Sequence, residues 1–166
     1  MAWDEDDDGV DHCLTQIEPH LPKTGKVLDI GCGVGRLTGP LAVRNPQLQF
    51  VGSDTSVQMI SLARRRWTLP NLDFAASSWV PADIAFAFSV VTFQHMSDGD
   101  MIWYLRVVAS IGAPIVFQFV AGTEREPLSM QRDELKVCDW CHIAGFSRVT
   151  MTRDERFPNW RWVYAR

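Results

Sequence analysis

The stretch that decides the fold is VLDIGCGVGR, residues 27–36. Its first four residues are apolar apart from Asp29 and predict a short buried strand. The glycines Gly31, Gly33 and Gly35 then predict a tight turn that a ligand can approach closely, because glycine has no side chain. A helix after such a turn directs its unpaired N–H groups at that ligand. The stretch therefore predicts a strand, a ligand-binding loop and a helix.

Short apolar strands alternate with helices along the chain, which predicts a parallel, doubly wound sheet with helices on both faces. The last two strands are joined by residues 153–159 alone, too few for a crossover helix, so they predict an antiparallel hairpin. The fold class is therefore α/β, a Rossmann-like sheet of about seven strands with one reversed. The predicted strands are 26–30, 49–53, 71–76, 82–89, 113–120, 146–152 and 160–165, and the predicted helices are 36–44, 56–67, 98–110 and 132–144. Ser56 is the predicted N-cap of the second of these helices.

Composition narrows the class of protein. The chain has 166 residues, 46% of them hydrophobic and 22% charged, with a net charge of −4, as in one globular domain. The negative charge argues against a nucleic-acid partner, because binding to phosphates needs clustered Lys and Arg. No apolar run approaches the ~20 residues of a membrane helix. The acidic start MAWDEDDDG lacks the features of a secretory signal, and four cysteines do not make a disulfide framework. We expect a cytoplasmic protein with no membrane partner.

Asp54 is the next informative feature of the sequence. It ends the predicted second strand and stands 19 residues after Gly35. A carboxylate at this place can accept hydrogen bonds from two ribose hydroxyls, so the pattern predicts a site for an adenosine-containing cofactor. The dinucleotide fingerprint needs a third glycine where Arg36 stands, which counts against NAD. Asp29, two residues before Gly31, suits an amine or a sulfonium better than a pyrophosphate.

These motifs resemble those of the class I S-adenosylmethionine-dependent methyltransferases. The resemblance rests on VLDIGCGVG at 27–35, GSDTS at 52–56, FSVVTFQHM at 88–96 and AGF at 144–146, and it covers nearly the whole chain in the family's order. It implies a single minimal methyltransferase domain, residues 1–166, with an N-terminal helical lid segment at 1–25 and a core at 26–166. It also implies S-adenosylmethionine as cofactor and S-adenosylhomocysteine as product.

The resemblance also implies which residues hold the cofactor. Asp29 would hold the ammonium group, the loop backbone would contact the methionine part, and Asp54 would bind the ribose hydroxyls. The family's acid that binds the adenine amino group is missing, and a serine hydroxyl with Trp79 over the ring would replace it. The predicted cofactor residues are Asp29, Gly31, Cys32, Gly33, Gly35, Asp54, Thr55, Met59, Ser77, Ser78, Trp79, Phe88 and Ser89.

His95, just past the fourth strand, is the predicted catalytic residue. Methyl transfer is an in-line displacement in which the enzyme aligns the acceptor, and a base helps where the acceptor must lose a proton. His95 would act as base or as acceptor-orienting group, with a structural histidine as the alternative. Gln94 and Gln118 are further candidates for acceptor contacts. The C-x-x-C-H string at 138–142 is interpreted as helix packing rather than a haem or zinc site, so no metal is predicted.

The sequence leaves the methyl acceptor open. The predicted function is methylation of an N or O atom on a small molecule or on an exposed peptide or protein group. The Asn/Asp-Pro-Pro-aromatic string of DNA-methylating relatives is absent, since residues 89–92 read SVVT. Only residues 121–131 and the N-terminal helix offer a lid, so a homodimer that closes the site is another option. The alternatives are a non-catalytic S-adenosylmethionine-binding module acting as a partner or regulatory subunit, and a nucleotide-dependent oxidoreductase.

Overall fold

The computed structural model describes residues 8–122, 125–126 and 129–166. The chain divides into two compact units, Met1–Phe88 and Ser89–Arg166. The acidic residues before Asp8 lie outside the described residues. Two assignments stay predictions: that the chain is one domain, and that its N-terminal segment is a lid.

The first unit is built on parallel strands with helices before and between them. Strand β1 pairs with both β2 and β4, and β2 pairs with β3, all in parallel, so the carboxyl ends of these strands lie at one edge. The strands are β1 (Gly25–Ile30), β2 (Leu48–Asp54), β3 (Leu72–Ala76) and β4 (Ile84–Ser89), whose last residue belongs to the second unit. The helices are α1 (Asp8–Ile17), α2 (Thr38–Arg44) and α3 (Val57–Arg66), with a 3-10 turn at Glu18–His20.

The ends of these helices follow the local sequence. Ser56 caps α3 as predicted, because its hydroxyl oxygen accepts a hydrogen bond from the backbone N–H of Met59 at 3.3 Å. Helix α2 begins at Thr38 rather than at the predicted Arg36, because residues 33–37 still form turns. The glycine loop is therefore longer than the sequence pattern indicated.

The second unit carries two longer helices and the C-terminal strands. Helix α5 begins at Glu134 rather than at the predicted Arg132, because the Asp133 side chain caps it by accepting from Lys136 N. The strands are β5 (Ile115–Val120), β6 (Arg125–Glu126), β7 (Ser129–Met130), β8 (Val149–Arg153) and β9 (Trp160–Ala165). The helices are α4 (Asp98–Ile111) and α5 (Glu134–Ala144), with a 3-10 turn at Phe93–His95.

The sheet has seven strands in the order β3-β2-β1-β4-β5-β9-β8, and β6 with β7 forms a separate antiparallel pair. Strand β9 is the reversed one, since it runs antiparallel to both β5 and β8. Strand β8 begins at Val149 rather than at the predicted Phe146, because the Phe146 N–H still closes α5 by donating to Cys141 O. The predicted fold class, a mostly parallel Rossmann-like sheet with an antiparallel C-terminal strand, is confirmed. None of the helices in the described part of the chain combines the length and apolar character that crossing a bilayer needs.

Candidate functional site

The glycine loop follows the carboxyl end of β1 and is fastened to β2 by its backbone. The N–H groups of Gly31 and Cys32 both donate to the carbonyl oxygen of Ser53, at 2.7 and 2.9 Å. Gly31, Gly33 and Gly35 have φ angles of 76°, 55° and 76°, a left-handed conformation that other residues adopt at a cost. The loop conformation therefore depends on glycine at all three positions.

Two of these glycines have different surroundings. A Cβ atom on Gly33 would meet nothing within 4 Å, whereas one on Gly35 would lie 2.8 Å from the Phe74 ring and 2.9 Å from the Trp67 ring. The Cys32 side chain is also buried in the apolar cluster that contains Phe74 and Trp67. Gly33 therefore presents the open side of the loop. Any cofactor contact by Gly35 or Cys32 would have to come from the backbone.

Asp54 connects the loop to the start of α3. Its Oδ2 atom accepts a hydrogen bond from Gly33 N at 2.9 Å, and its Oδ1 atom accepts one from Ser56 N at 2.8 Å. Each carboxylate oxygen retains a second lone pair, so the group can accept two further hydrogen bonds while it is held in place. Thr55, the next residue along the chain, is exposed. This arrangement suits the binding of a diol.

Asp29 is a buried acid, with only 3% of its surface exposed. The Thr38 hydroxyl donates to its Oδ2 atom at 2.6 Å. Burial raises the pKa of the Asp29 carboxyl to about 7, the hydrogen bond from Thr38 opposes this rise, and the charge of Asp54 adds to it. The carboxyl therefore titrates near neutral pH, and a cation bound beside it would favour its ionised form.

The segment after β3 carries the predicted adenine contacts. The backbone N–H of Ser77 donates to Asp54 O at 2.9 Å, and the Ser77 hydroxyl oxygen accepts from Trp79 N at 2.8 Å. Ser78 is exposed, and so are the large apolar side chains of Trp79 and Met59, at 60% and 42%. A planar ligand would find apolar surface on these two side chains. The Ser77 hydroxyl retains its own proton and a second lone pair for a polar contact.

Phe88 and Ser89 end β4, and both are fully buried. Phe88 is the register partner of Asp29 in the pairing of β1 with β4. Neither residue has exposed surface, so a ligand would contact them through the backbone.

In the second unit, His95 lies on the 3-10 turn and its side chain is exposed. Its Nε2 atom is 3.1 Å from Nε2 of the buried Gln94, and its backbone N–H donates to Thr92 O at 2.9 Å. Val91, just before the turn, has a φ of 64°, which is unfavourable for a β-branched residue. Such strain persists only where the surroundings hold the backbone, and it is concentrated at functional sites.

A buried arginine, Arg132, holds this turn. This role was not predicted from the sequence. Arg132 forms an ion pair with Asp98, Nε to Oδ1 at 3.1 Å. Its terminal nitrogens donate to the carbonyl oxygens of Phe93 at 2.9 Å, Met96 at 2.6 Å and Met130 at 3.3 Å. Nothing in the sequence around Arg132 distinguishes it from a surface arginine.

Gln118, a predicted acceptor contact, belongs to a buried polar cluster. Its Nε2 atom donates to Asp154 Oδ2 at 3.3 Å, and Trp162 Nε1 donates to the same oxygen at 2.6 Å. Asp154 Oδ1 accepts from the backbone N–H groups of Arg156 and Phe157, at 2.8 and 3.0 Å. Within the described residues, Gln118 Oε1 has no hydrogen-bond partner. Trp162 is therefore part of the core, and Asp154 fixes the orientation of the Gln118 amide.

The two cysteines of the C-x-x-C-H string lie on α5. Cys141 is fully buried, and this burial raises the pKa of its thiol to about 12. Cys138 is half-buried and free, and burial raises the pKa of its thiol as well. Both groups are therefore neutral thiols that pack within the unit. In the residues that the structure covers, no group of three or more His, Cys, Asp or Glu side chains is arranged to hold a metal ion.

Comparison with known proteins gives a family and several relatives. The methyltransferase domain family matches residues 27–114, more than half of the chain. The trans-aconitate 2-methyltransferase of Variovorax paradoxus is 43% identical over 131 residues, which cover 75% of this chain and 50% of that protein. The trans-aconitate 2-methyltransferase of Afipia carboxidovorans is 42% identical over 91 residues, which cover 51% of this chain and 33% of that protein. The chain spans half or less of the length of these curated relatives.

Solved structures share the fold at low sequence identity. An S-adenosylmethionine-dependent methyltransferase from Leishmania major superimposes with a TM-score of 0.77 at 19% identity, covering 95% of this chain and 71% of that one. The magnesium protoporphyrin IX methyltransferase of Synechocystis PCC 6803, solved with bound S-adenosylmethionine, gives 0.72 at 21% identity, covering 95% and 78%. These likenesses show the fold. Together with the glycine loop and Asp54, the match over residues 27–114 shows that this chain belongs to the methyltransferase domain family of class I methyltransferases.

Proposed function

We propose that this chain transfers a methyl group from S-adenosylmethionine to a carboxylate oxygen of a small polycarboxylate of the trans-aconitate type. The observation that carries the proposal is the 43% identity to a trans-aconitate 2-methyltransferase over 75% of this chain. The first unit adds a second line of support, because it presents an open glycine loop between two acidic side chains.

We assign the cofactor contacts to the loop and its neighbours. Asp29 attracts the ammonium group, the backbone around Gly33 contacts the methionine part, and Asp54 accepts hydrogen bonds from the ribose hydroxyls. The burial of Asp29 and the two retained lone pairs of Asp54 support these roles. Bound there, S-adenosylmethionine supplies an electrophilic methyl group.

The adenine end is assigned to the segment after β3. Ser77 takes the place of the family's acid, and Trp79 with Met59 provides apolar cover, while Thr55 and Ser78 border the same region. The exposure of these large side chains supports this assignment. The backbone of Phe88 and Ser89 completes the proposed set on the amino-acid side.

A carboxylate acceptor changes what His95 has to do. Carboxylates of small acids are ionised at neutral pH, so an oxygen nucleophile is available without removal of a proton. The remaining task is alignment, which contributes a large share of the rate in displacements of this kind. We therefore propose that His95 orients the acceptor as a hydrogen-bond donor rather than acting as a base.

A non-catalytic S-adenosylmethionine-binding module is the second candidate. It is favoured by the missing adenine-site acid, since residues 75–79 read AASSW. An acceptor on a peptide or protein, methylated at N or O, is the other option that the site leaves.

The test is methyl transfer from isotopically labelled S-adenosylmethionine to trans-aconitate, with the labelled ester identified by mass spectrometry. The proposal predicts one methyl group per product molecule. Asp54→Ala should weaken cofactor binding by about 2 kcal/mol, roughly 30-fold, because it removes hydrogen bonds to a charged group. Asp73→Ala, at an exposed position on β3, is the matched control and should bind as the wild type does. Cofactor binding without transfer to trans-aconitate would favour the binding module instead.

A further inference from the structure

Arg132 joins two segments of the second unit that are far apart in the sequence. Its side chain is 1% exposed, and its Nε donates to Asp98 while one terminal nitrogen donates to Phe93 O and the other to Met96 O. The guanidinium group is planar and carries its N–H groups in a fixed fork. One rigid group therefore holds the 93–96 turn at both of its ends.

The backbone of Arg132 is itself anchored to the end of β5. Its N–H donates to Val120 O at 2.8 Å, and its carbonyl oxygen accepts from Gly122 N at 3.0 Å. The backbone of the arginine is thus hydrogen-bonded to the last residue of a fully buried strand. The arginine therefore connects the 93–96 turn to the end of β5.

A buried charge is costly, so its presence calls for a reason. An apolar side chain of similar volume would often stabilise such a position as well as an ion pair does. It would, however, leave the carbonyl oxygens of Phe93 and Met96 without the donors that they have in this structure. What the arginine adds over an apolar residue is a defined turn geometry.

We propose that Arg132 is a positioning residue for methyl transfer: it fixes the 93–96 turn and thereby the places of the Gln94 and His95 side chains. The proposal rests on the proposed function, in which His95 orients the acceptor. Arg132 acts only through the turn. Misplacing an orienting group by about 1 Å can lower a rate about 100-fold, so a displaced 93–96 turn should lower the rate of methyl transfer by about that factor.

Arg161 provides a matched control in the same unit. It also forms an ion pair, Nε to Glu134 Oε1 at 2.6 Å, and it donates to the carbonyl oxygens of Pro158 and Trp160. Its side chain is 11% exposed, so it is also largely buried. These contacts lie at the start of α5 and in the β8–β9 hairpin.

The kinetic test compares Arg132→Lys with Arg161→Lys, using S-adenosylmethionine and trans-aconitate. Lysine keeps the charge and lacks the planar fork, so Arg132→Lys should lower kcat/KM for trans-aconitate about 100-fold, with the Kd for S-adenosylmethionine unchanged. Arg161→Lys should leave both constants close to the wild-type values. Equal losses in the two variants, or unchanged kinetics in Arg132→Lys, would overturn the proposal.

A second readout needs no acceptor. The N–H groups of His95 and Met96 donate within the turn, to Thr92 O and Phe93 O at 2.9 and 3.2 Å, and their hydrogen exchange reports its opening. Arg132→Lys should speed exchange at these two amides about tenfold and leave the β5 amides unchanged. Unchanged hydrogen exchange at His95 and Met96 would refute the proposal that Arg132 holds the turn. If the wild type binds the cofactor without methylating trans-aconitate, the proposed function fails, and the exchange rates alone then decide whether Arg132 holds the turn.

Discussion

The glycine loop of the first unit and the 93–96 turn of the second unit both follow a strand, but different forces hold them. The loop takes its shape from left-handed glycines and from backbone hydrogen bonds to Ser53. The turn contains a strained Val91 at its approach and is held by the side chain of Arg132. A loop whose shape depends on its own backbone can therefore be recognised in the sequence, whereas a turn held by a distant side chain cannot.

The largest expected effect separates two glycines of the same loop. Gly35→Ala should destabilise the protein by about 3 kcal/mol, because it adds backbone strain and drives a methyl group into the rings of Phe74 and Trp67. Gly33→Ala should cost only about 1 kcal/mol, the strain alone, since its Cβ meets open space. Urea unfolding of both variants measures the difference.

The same pair of variants tests which glycine lies on the ligand side. Gly33→Ala should weaken cofactor binding more than its small effect on stability would suggest, because the new methyl group stands on the open side of the loop. In the urea experiment, equal destabilisation by the two substitutions would contradict the close contact of Gly35 with the aromatic rings.

A smaller effect concerns the pH dependence of cofactor binding. Burial raises the pKa of Asp29 to about 7, so below that pH its carboxyl is mostly protonated and cannot attract a cation. Affinity for S-adenosylmethionine should therefore rise with pH, on the order of tenfold between pH 5.5 and 7, as the ionised fraction grows. An α-amino group remains mostly protonated over this range, so the ligand contributes little to the change.

Two variants sharpen this pH prediction. Asp29→Asn should bind more weakly and lose the pH dependence, since the amide does not titrate. Thr38→Val removes the hydroxyl that donates to Asp29 and should shift the binding transition to higher pH. Calorimetric titration across the pH range measures both. A wild-type affinity that stays flat between pH 5.5 and 7 would contradict the assignment of Asp29.

Much of the fold could be predicted because its signals are local. The glycine loop, the Ser56 cap and the short connection before β9 each depend on a few neighbouring residues, and the structure has all three. The boundaries that moved did so for equally local reasons, such as the Asp133 cap that starts α5 two residues later than predicted.

The features that escaped prediction depend on contacts between distant residues. Asn71 was expected to be a strand residue, but its side-chain Nδ2 lies within 3.4 Å of the carbonyl oxygens of Ala42, Asn45 and Leu48 and closes the end of α2. Arg132 reaches Phe93 across 39 positions. Polar residues of these types are common on surfaces, so the sequence offered no reason to bury them.

Part of the candidate site was visible in the sequence and part was not. The loop backbone and Asp54 are brought together as the resemblance implied, through the hydrogen bond from Gly33 N to Asp54 Oδ2. The inward packing of Cys32 and Gly35 depends on Phe74 and Trp67, which lie over 30 positions further along the chain. The roles of His95 and of the individual cofactor contacts stay predictions.

The most direct test of the proposed cofactor site is calorimetric titration of the wild-type chain with S-adenosylmethionine, with NAD as the control. We expect one binding site for S-adenosylmethionine per chain, with a dissociation constant in the micromolar range, and no heat from NAD. Binding of NAD in place of S-adenosylmethionine, or no binding of either, would contradict the assignment of the glycine loop, Asp29 and Asp54 as the cofactor site.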